Sequence, residues 1–349
     1  MHDVDRWWKL LLGFAVALIG AAIALAISLP LPWTLGPLIL VAAARVLSVP
    51  VNSSPRLRNV GQWAIGVTLG LYFTPFVLGI IQQNILPIIG GMIFALALGV
   101  FGTYLLMRLG GVDLKTAWFS SAIGGASEMT GLADRYGGRS DLVASAHSLR
   151  ILTVVLIVPF AFQVFGVVGD DSAVAGPKIV DYGGLLLLAV ATAASALVAG
   201  FFKVPNGWVL GPMFVSMALT MSGIELSAMP DYVSKVAQLL IGWSLGDRFR
   251  PGFFSSAPRF LFAVILFTLL GILMSLGVAY FLESWASVPL PTVILGLAPG
   301  GITEMAITAK VLNLGVPLVT AFHVTRMALV VVVTGPLYIA FVEKHCLEA

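Results

Sequence analysis

Four blocks of this sequence are written twice, about 176 residues apart, and a duplication of that size constrains the fold before any single residue is considered. Pro30, Trp33, Leu35, Gly36 and Pro37 recur at the same spacing as Pro205, Trp208, Leu210, Gly211 and Pro212, an offset of 175. Val60, Gln62, Ile65, Gly66, Leu69, Gly70, Phe73 and Pro75 recur at an offset of 176, from Val236 and Gln238 through to Pro251. Gly124-Gly125-Ala126-Ser127-Glu128-Met129 pairs with Gly300-Gly301-Ile302-Thr303-Glu304-Met305, and His147 and Arg150 pair with His323 and Arg326. Chance likeness between apolar helices does not hold one register over four blocks.

Composition decides the solvent. Of 349 residues, 59% are hydrophobic and 10% charged, against roughly 25% charged in a soluble domain. Mean hydropathy is +1.02, and the apolar runs approach the length that crosses a bilayer core about 30 Å thick. This excludes a soluble globular domain and predicts an all-α polytopic membrane protein. The 19 Lys and Arg and 16 Asp and Glu are scattered between apolar runs, so no patch is built for nucleic acid. Cys346 is the sole cysteine, which rules out an intrachain disulfide and a thiolate metal site. No metal or cofactor is expected. The stretch Leu10–Leu29 is too long for a usual signal-peptide core, and Trp7 and Trp8 suit a headgroup level, so it reads as the first span.

Each half carries about six apolar segments, in the first half near 10–29, 33–50, 59–81, 87–107, 116–132 and 142–167. The fifth is interrupted by Gly124-Gly125, Gly131 and Gly137-Gly138, which predicts a broken or re-entrant helix buried in protein. If it turns back, each half crosses five times and the halves are inverted. Loop Lys and Arg then divide thirteen inside to three outside, against nine to seven for parallel halves. The expected organisation is a first repeat over 1–168, an external connection over 169–182 holding Asp170-Asp171, and an inverted second repeat over 183–349. That gives ten crossings, two re-entrant segments and both termini in the cytoplasm.

Inverted repeats with interrupted helices place a binding site near the midplane. Arg150 lies about nine residues into the sixth segment, roughly 14 Å deep, and Arg326 is as deep from the other face. Such an arginine needs a polar interior and an anion. Glu128 and Glu304 are the available anions, each following a glycine pair (Gly124-Gly125, Gly300-Gly301) that frees the backbone. His147 and His323 stand three residues before their arginines, on one helical face. These groups either bind and couple, with carboxylates and imidazoles exchanging protons or holding a cation while the arginines attract an anion, or form static Glu–Arg clamps with the histidines on nearby carbonyls. Ser127 and Thr303 either offer ligand oxygens or cap the half-helix that follows. Gln62 and Gln238 either line the pathway or glue helices together. Arg45, near the end of its segment, is expected to snorkel to the headgroups.

The duplicated Gly-Gly-x-Ser/Thr-Glu-Met and His-x-x-Arg blocks, with Pro-x-x-Trp-x-Leu-Gly-Pro, resemble the bacterial AbrB membrane family with its AbrB duplication domain. The resemblance covers nearly the whole chain. It implies a multi-pass protein of the bacterial cytoplasmic (inner) membrane, similar in fold to cation/proton antiporters and anion transporters, and it brings no established substrate. The family also carries the labels ammonia monooxygenase and regulator of gene expression.

Three functions therefore compete. The first is a secondary transporter of a small anionic solute coupled to a proton or cation, with solute and lipid bilayer as partners and a homodimer as a compatible assembly. The second is a membrane-embedded regulator, for which the sequence offers no cytoplasmic output domain. The third is a metal-dependent monooxygenase, disfavoured because His147 and His323 alone of four histidines are internal. The chain is expected not to be an enzyme.

Overall fold

The computed structural model describes residues 2–169 and 179–343. Asp170, Asp171 and Lys178 of the expected connection, and Lys344 and Cys346, lie outside the described residues. Helix is the regular structure throughout the described residues, with no strand among them. The first repeat builds α1 (His2–Ala26), α2 (Pro32–Val46), α3 (Pro55–Gly70), α4 (Pro75–Gln83), α5 (Ile85–Leu105, continued by a π-helical turn Leu106–Gly110), α6 (Leu114–Ser121), α7 (Ala126–Arg135) and α8 (Ser140–Val164). The second builds α9 (Tyr182–Phe201), α10 (Gly207–Met221), α11 (Asp231–Gly246), α12 (Phe253–Ser256), α13 (Pro258–Glu283), α14 (Leu290–Leu297), α15 (Ile302–Val311) and α16 (Val316–Leu337, continued over Tyr338–Glu343).

The duplication reaches the backbone. Ser28 and Lys203 both have φ of 53°, and Leu31 and Asn206 both have φ of 50°. Each pair keeps the sequence offset of 175. A left-handed residue just ahead of α2 and of α10 re-aims the chain at the same point of each copy.

Among the described residues, six helices are long and apolar enough to cross a membrane: α1, α5, α8, α9, α13 and α16. The pair α3 and α4 makes a seventh span if counted as one, but it is bent by 85°. Against the sequence expectation of ten crossings, the other apolar segments are shorter or bent, for local reasons. The segment 33–50 loses its last turn because Ser48 is left-handed (φ 65°) and Pro50 follows. The segment 59–81 turns sharply ahead of Pro75, which cannot continue the preceding hydrogen-bond ladder. Both α2 and α10 have 15 residues, about 22 Å of helix.

Two compact units divide the chain, and each draws on both repeats. The first unit comprises 1–79, 158–253 and 306–317. Its helices pack reciprocally: α1 with α2 as α9 with α10, and α2 with α11 as α3 with α10. Glycine makes those crossings close. A Cβ on Gly66 would fall on the Val209 carbonyl, and one on Gly242 on the Thr34 carbonyl. One ion pair in this unit has no repeat counterpart. Arg45 Nε lies 3.1 Å from Asp247 Oδ1, Arg45 Nη1 donates to Val51 O at 2.9 Å, and Asp247 Oδ2 accepts from Ser53 N and Oγ at 3.0 and 2.8 Å. Arg45 therefore does not snorkel as expected. Asp247, at the end of α11, draws it onto the loop that follows α2.

The second unit comprises 80–157, 254–305 and 318–349. Here α5 packs on α6 as α13 packs on α14, and α5 meets α13. Asn84, fully buried, ties the start of α5 to the chain ahead of α14: its Nδ2 donates to Ser287 Oγ at 2.8 Å and its Oδ1 accepts from Ser287 N at 3.0 Å. Phe119, Met129, Val143, Val330 and Tyr338 form an apolar cluster that joins α6 and α7 to α8 and α16.

The glycine crossings generate a direct test. Gly66→Val and Gly242→Val each place methyl groups on a backbone carbonyl that cannot retreat, a cost of about 1–3 kcal/mol or more. Both variants should melt well below the parent in detergent, while Gly79→Val, at a position with open space around it, should not.

Candidate functional site

A helix of eight residues ends with four carbonyls that find no partner inside it. Both α6 and α14 have that length, and each stops at an extended break before a second short helix resumes. Phe119, Ala122, Leu295 and Ala298 at these ends are buried, so the orphaned carbonyls lie in the protein interior.

The His-x-x-Arg pairs satisfy them. At the first break, His147 Nε2 bonds Phe119 O at 2.9 Å and Arg150 Nη1 donates to Ala122 O at 3.1 Å. Trp118 O is taken by Ala122 N at 3.2 Å and by Ser121 Oγ at 3.1 Å. At the second break, His323 Nε2 bonds Leu295 O at 3.0 Å, and Arg326 donates to Ala298 O at 2.7 Å and to Gly300 O at 2.6 Å. Ser275 Oγ donates to Leu297 O at 3.2 Å. A cation beside a helix C-terminus also meets the negative end of the macrodipole, so charge and hydrogen bonding favour the same placement.

This geometry fixes the histidine tautomers. Arg150 Nη2 lies 3.0 Å from His147 Nδ1, and Arg326 Nη2 lies 2.8 Å from His323 Nδ1. A guanidinium can only donate, so each Nδ1 accepts and each ring carries its proton on Nε2, where it donates to the carbonyl. A second proton on Nδ1 would break the bond to arginine and set two cations together. These contacts position the arginine.

The guanidiniums are nearly sealed, Arg150 4% exposed and Arg326 5%. Neither takes a carboxylate among its described hydrogen bonds. Nε of each is buried without a hydrogen-bond partner, and both arginines belong to the second compact unit. The duplication therefore brings two cations into one unit.

Each glutamate occupies the third position of the half-helix after its break and folds back over the glycine that precedes it. Glu128 Oε2 stands where a Cβ on Gly125 would be, and Glu304 Oε2 does the same over Gly301. Carboxylates thus sit at the positive ends of α7 and α15. Gly124 and Gly300 pack close to Met129 and Met305 of the same half-helices.

Ser127 and Thr303 are second in their helices, and Gly125 holds the capping position of α7. Gln62 and Gln238 belong to the first compact unit. Gln238 is buried and its Oε1 accepts from Thr34 Oγ1 at 3.5 Å, which fits interhelical glue. The sequence reading did not anticipate Thr103 and Ser121, whose hydroxyls bond at 2.9 Å, or Ser120, whose buried Oγ has no partner. Two serines closing the apolar half-helix Leu114–Ser121 were the available signal. A cavity of about 40 Å³ adjoins the first break, between α5, the end of α6 and α16.

Residues 33–342 match the family model described as transition state regulatory protein AbrB. The chain belongs to the AbrB family. It is 25% identical over 359 residues to "Uncharacterized protein YhjN" of Bacillus subtilis (strain 168), covering 93% of this chain and 89% of that protein. It is 24% identical over 327 residues to "Putative regulator AbrB" of Escherichia coli (strain K12), covering 92% of each. The alignments are nearly full length, so the AbrB assignment takes in both breaks.

In this AbrB-family chain the histidines hold the broken backbone. His323→Ala leaves the Leu295 carbonyl and one Arg326 donor unsatisfied, a cost of about 1–3 kcal/mol. Thermal unfolding in detergent should show the loss. His147→Ala should behave alike, and combining it with Arg150→Ala should cost less than the sum of the two.

Proposed function

We propose that this protein is a secondary transporter of the cytoplasmic (inner) membrane that moves a small anionic solute, coupled to a proton or cation. The observation that carries the reading is the pair of buried guanidiniums, Arg150 and Arg326, each anchored on the carbonyls of a broken helix and each with an unused Nε. Two buried like charges are costly unless an anion joins them. A transported anion supplies that partner, while the broken helices offer further polar backbone.

The topology that fits this function is two inverted repeats with both termini cytoplasmic. Reciprocal packing of α2 with α11 and α3 with α10 supports a two-fold relation between repeats. The Lys and Arg bias supports inversion.

The other readings fit less well. A metal-dependent oxygenase would need imidazole lone pairs, yet both nitrogens of His147 and of His323 are engaged with arginine and a carbonyl. The printed name of the Escherichia coli relative speaks of regulation, and regulation can follow from moving a metabolite.

Proteoliposomes test the reading. Counterflow with radiolabelled acetate, pyruvate, succinate, citrate and glutamate should show uptake of at least one, and Arg150→Gln or Arg326→Gln should reduce it tenfold or more. No uptake of any anion would defeat the proposal. In a Cys346→Ser background, Ser172→Cys should react with impermeant maleimide from outside intact cells; reaction from the cytoplasm alone would defeat the inverted topology.

A further inference from the structure

Asp247, at the end of α11, holds the loop ahead of α3 through Ser53, and Asn52 N of the same loop donates to Lys9 O of α1 at 3.1 Å. The first compact unit therefore has one end at which α1 and α3 begin and α11 finishes, with α11 packed on α1, α2 and α3. Four arginines belong to that end. Arg56 and Arg58 stand in the first turn of α3, and Arg248 and Arg250 follow Asp247. Because α11 finishes where α3 begins and packs along it, its own start lies at the far end. The duplication allows a direct comparison: the residues equivalent to the four arginines in the other copy are Tyr232, Ser234, Tyr72 and Thr74, none of them charged. The far end presents exposed Asp231 and Glu225 instead, with exposed Asp181 tied beside them through Ser227.

Helix packing does not require these cations. The positive end of the α3 dipole opposes a cation in its first turn, and that turn holds no acid. Among the described residues, Arg56, Arg58 and Arg250 have no ion-pair partner, and Asp247 is already engaged by Arg45 and Ser53. Arg58 Nε is buried without a hydrogen-bond partner, while Arg56 and Arg250 are exposed. Large apolar side chains stand exposed at the same end: Leu57 and Val60 on α3, Trp7 and Trp8 on α1. Cations bordered by exposed apolar groups and indoles fit the headgroup level of a bilayer.

We propose that this end of the first unit is a binding surface for the phosphate headgroups of anionic lipids, with Arg56, Arg58 and Arg250 as the cations that hold them. A guanidinium fork suits phosphate oxygens. A lipid also brings acyl chains to cover Leu57 and Val60, which a free phosphate ion does not. Asp247 ties the start of α3 to the end of α11, so the arginines of both helices stay on one surface. Binding to the folded unit alone stabilises it by mass action.

The experiment follows thermal unfolding of the purified full-length protein in detergent micelles against added phosphatidylglycerol, phosphatidylcholine or inorganic phosphate. Phosphatidylglycerol should stabilise the parent at lower concentration than phosphatidylcholine, and inorganic phosphate should act more weakly than either. Arg56→Gln, Arg58→Gln and Arg250→Gln should each raise the phosphatidylglycerol concentration needed for half-maximal stabilisation, by roughly fivefold for each arginine near a lipid surface. Lys235→Gln removes an exposed cation near the start of α11, at the far end, and should leave that midpoint unchanged. Added sodium chloride should weaken the phosphatidylglycerol effect in the parent, a readout that serves where a glutamine variant folds poorly. Equal action of the two lipids, or no salt dependence, would overturn the proposal. Inorganic phosphate acting as strongly as phosphatidylglycerol would overturn the lipid as its source. A loss with Lys235→Gln matching the arginine losses would overturn the location, since the attraction would then follow net charge.

Discussion

A helix that stops inside an apolar layer must find donors for its last carbonyls, and each left bare costs several kcal/mol. This requirement, met twice, organises the second compact unit. Water cannot meet it there, and a neighbouring helix has no spare N–H to offer. Side chains must, and arginine is the suitable one: five donors in a rigid fork reach a carbonyl and a histidine at once. Arg326 does so through Ala298 O, Gly300 O and His323 Nδ1. The arginine is thus placed by the backbone's need, and its charge arrives with it. Helix dipoles ending at Ala122 and Ala298 offset part of that charge. What they leave uncompensated is the charge on which the proposed anion site rests.

Duplication multiplies this solution and sets the rest of the architecture. Because α2 crosses α11 while α10 crosses α3, each close approach in the first unit is built twice from the same residue types. Gly66 on Val209 and Gly242 on Thr34 are one contact expressed in two copies. Left-handed Leu31 and Asn206 enter α2 and α10 alike although their side chains differ. Leucine is costly in that conformation and asparagine is not, so packing of the surrounding helices fixes the turn at Leu31. The compact units cut across the repeats for the same reason: α2 packs on α11 and α10 on α3, so each copy's helices lie against those of the other.

What the sequence could disclose was whatever repeats or is periodic. Glycine pairs marked both breaks, and spacing of three put each histidine beside its arginine. The apolar runs disclosed six of the spans. The partners of the arginines stayed hidden because they are main-chain carbonyls of Phe119, Ala122, Leu295 and Ala298, and a carbonyl leaves no mark on residue choice. Glutamate seemed the natural counter-ion from composition alone; yet its place at the third position of α7 and α15 makes the helix N-terminus the nearer electrostatic partner. Arg45 and Asp247 escaped for a different reason. Their pairing joins residues with no like-charged equivalents in the other copy, where Thr220 and Leu71 stand, so the duplication that revealed everything else was silent about them.

The differences between copies carry as much physics as the likeness. Had the copies been identical, a device that alternates by exchanging their conformations would hold its two states at equal free energy. Here Ala126-Ser127 faces Ile302-Thr303 in the alignment of repeats. Isoleucine and threonine close the second break with buried methyl groups, while alanine and serine leave the first open. Exchanging the conformations of the two copies would expose Ile302 and bury Ser127, so the two arrangements differ in free energy.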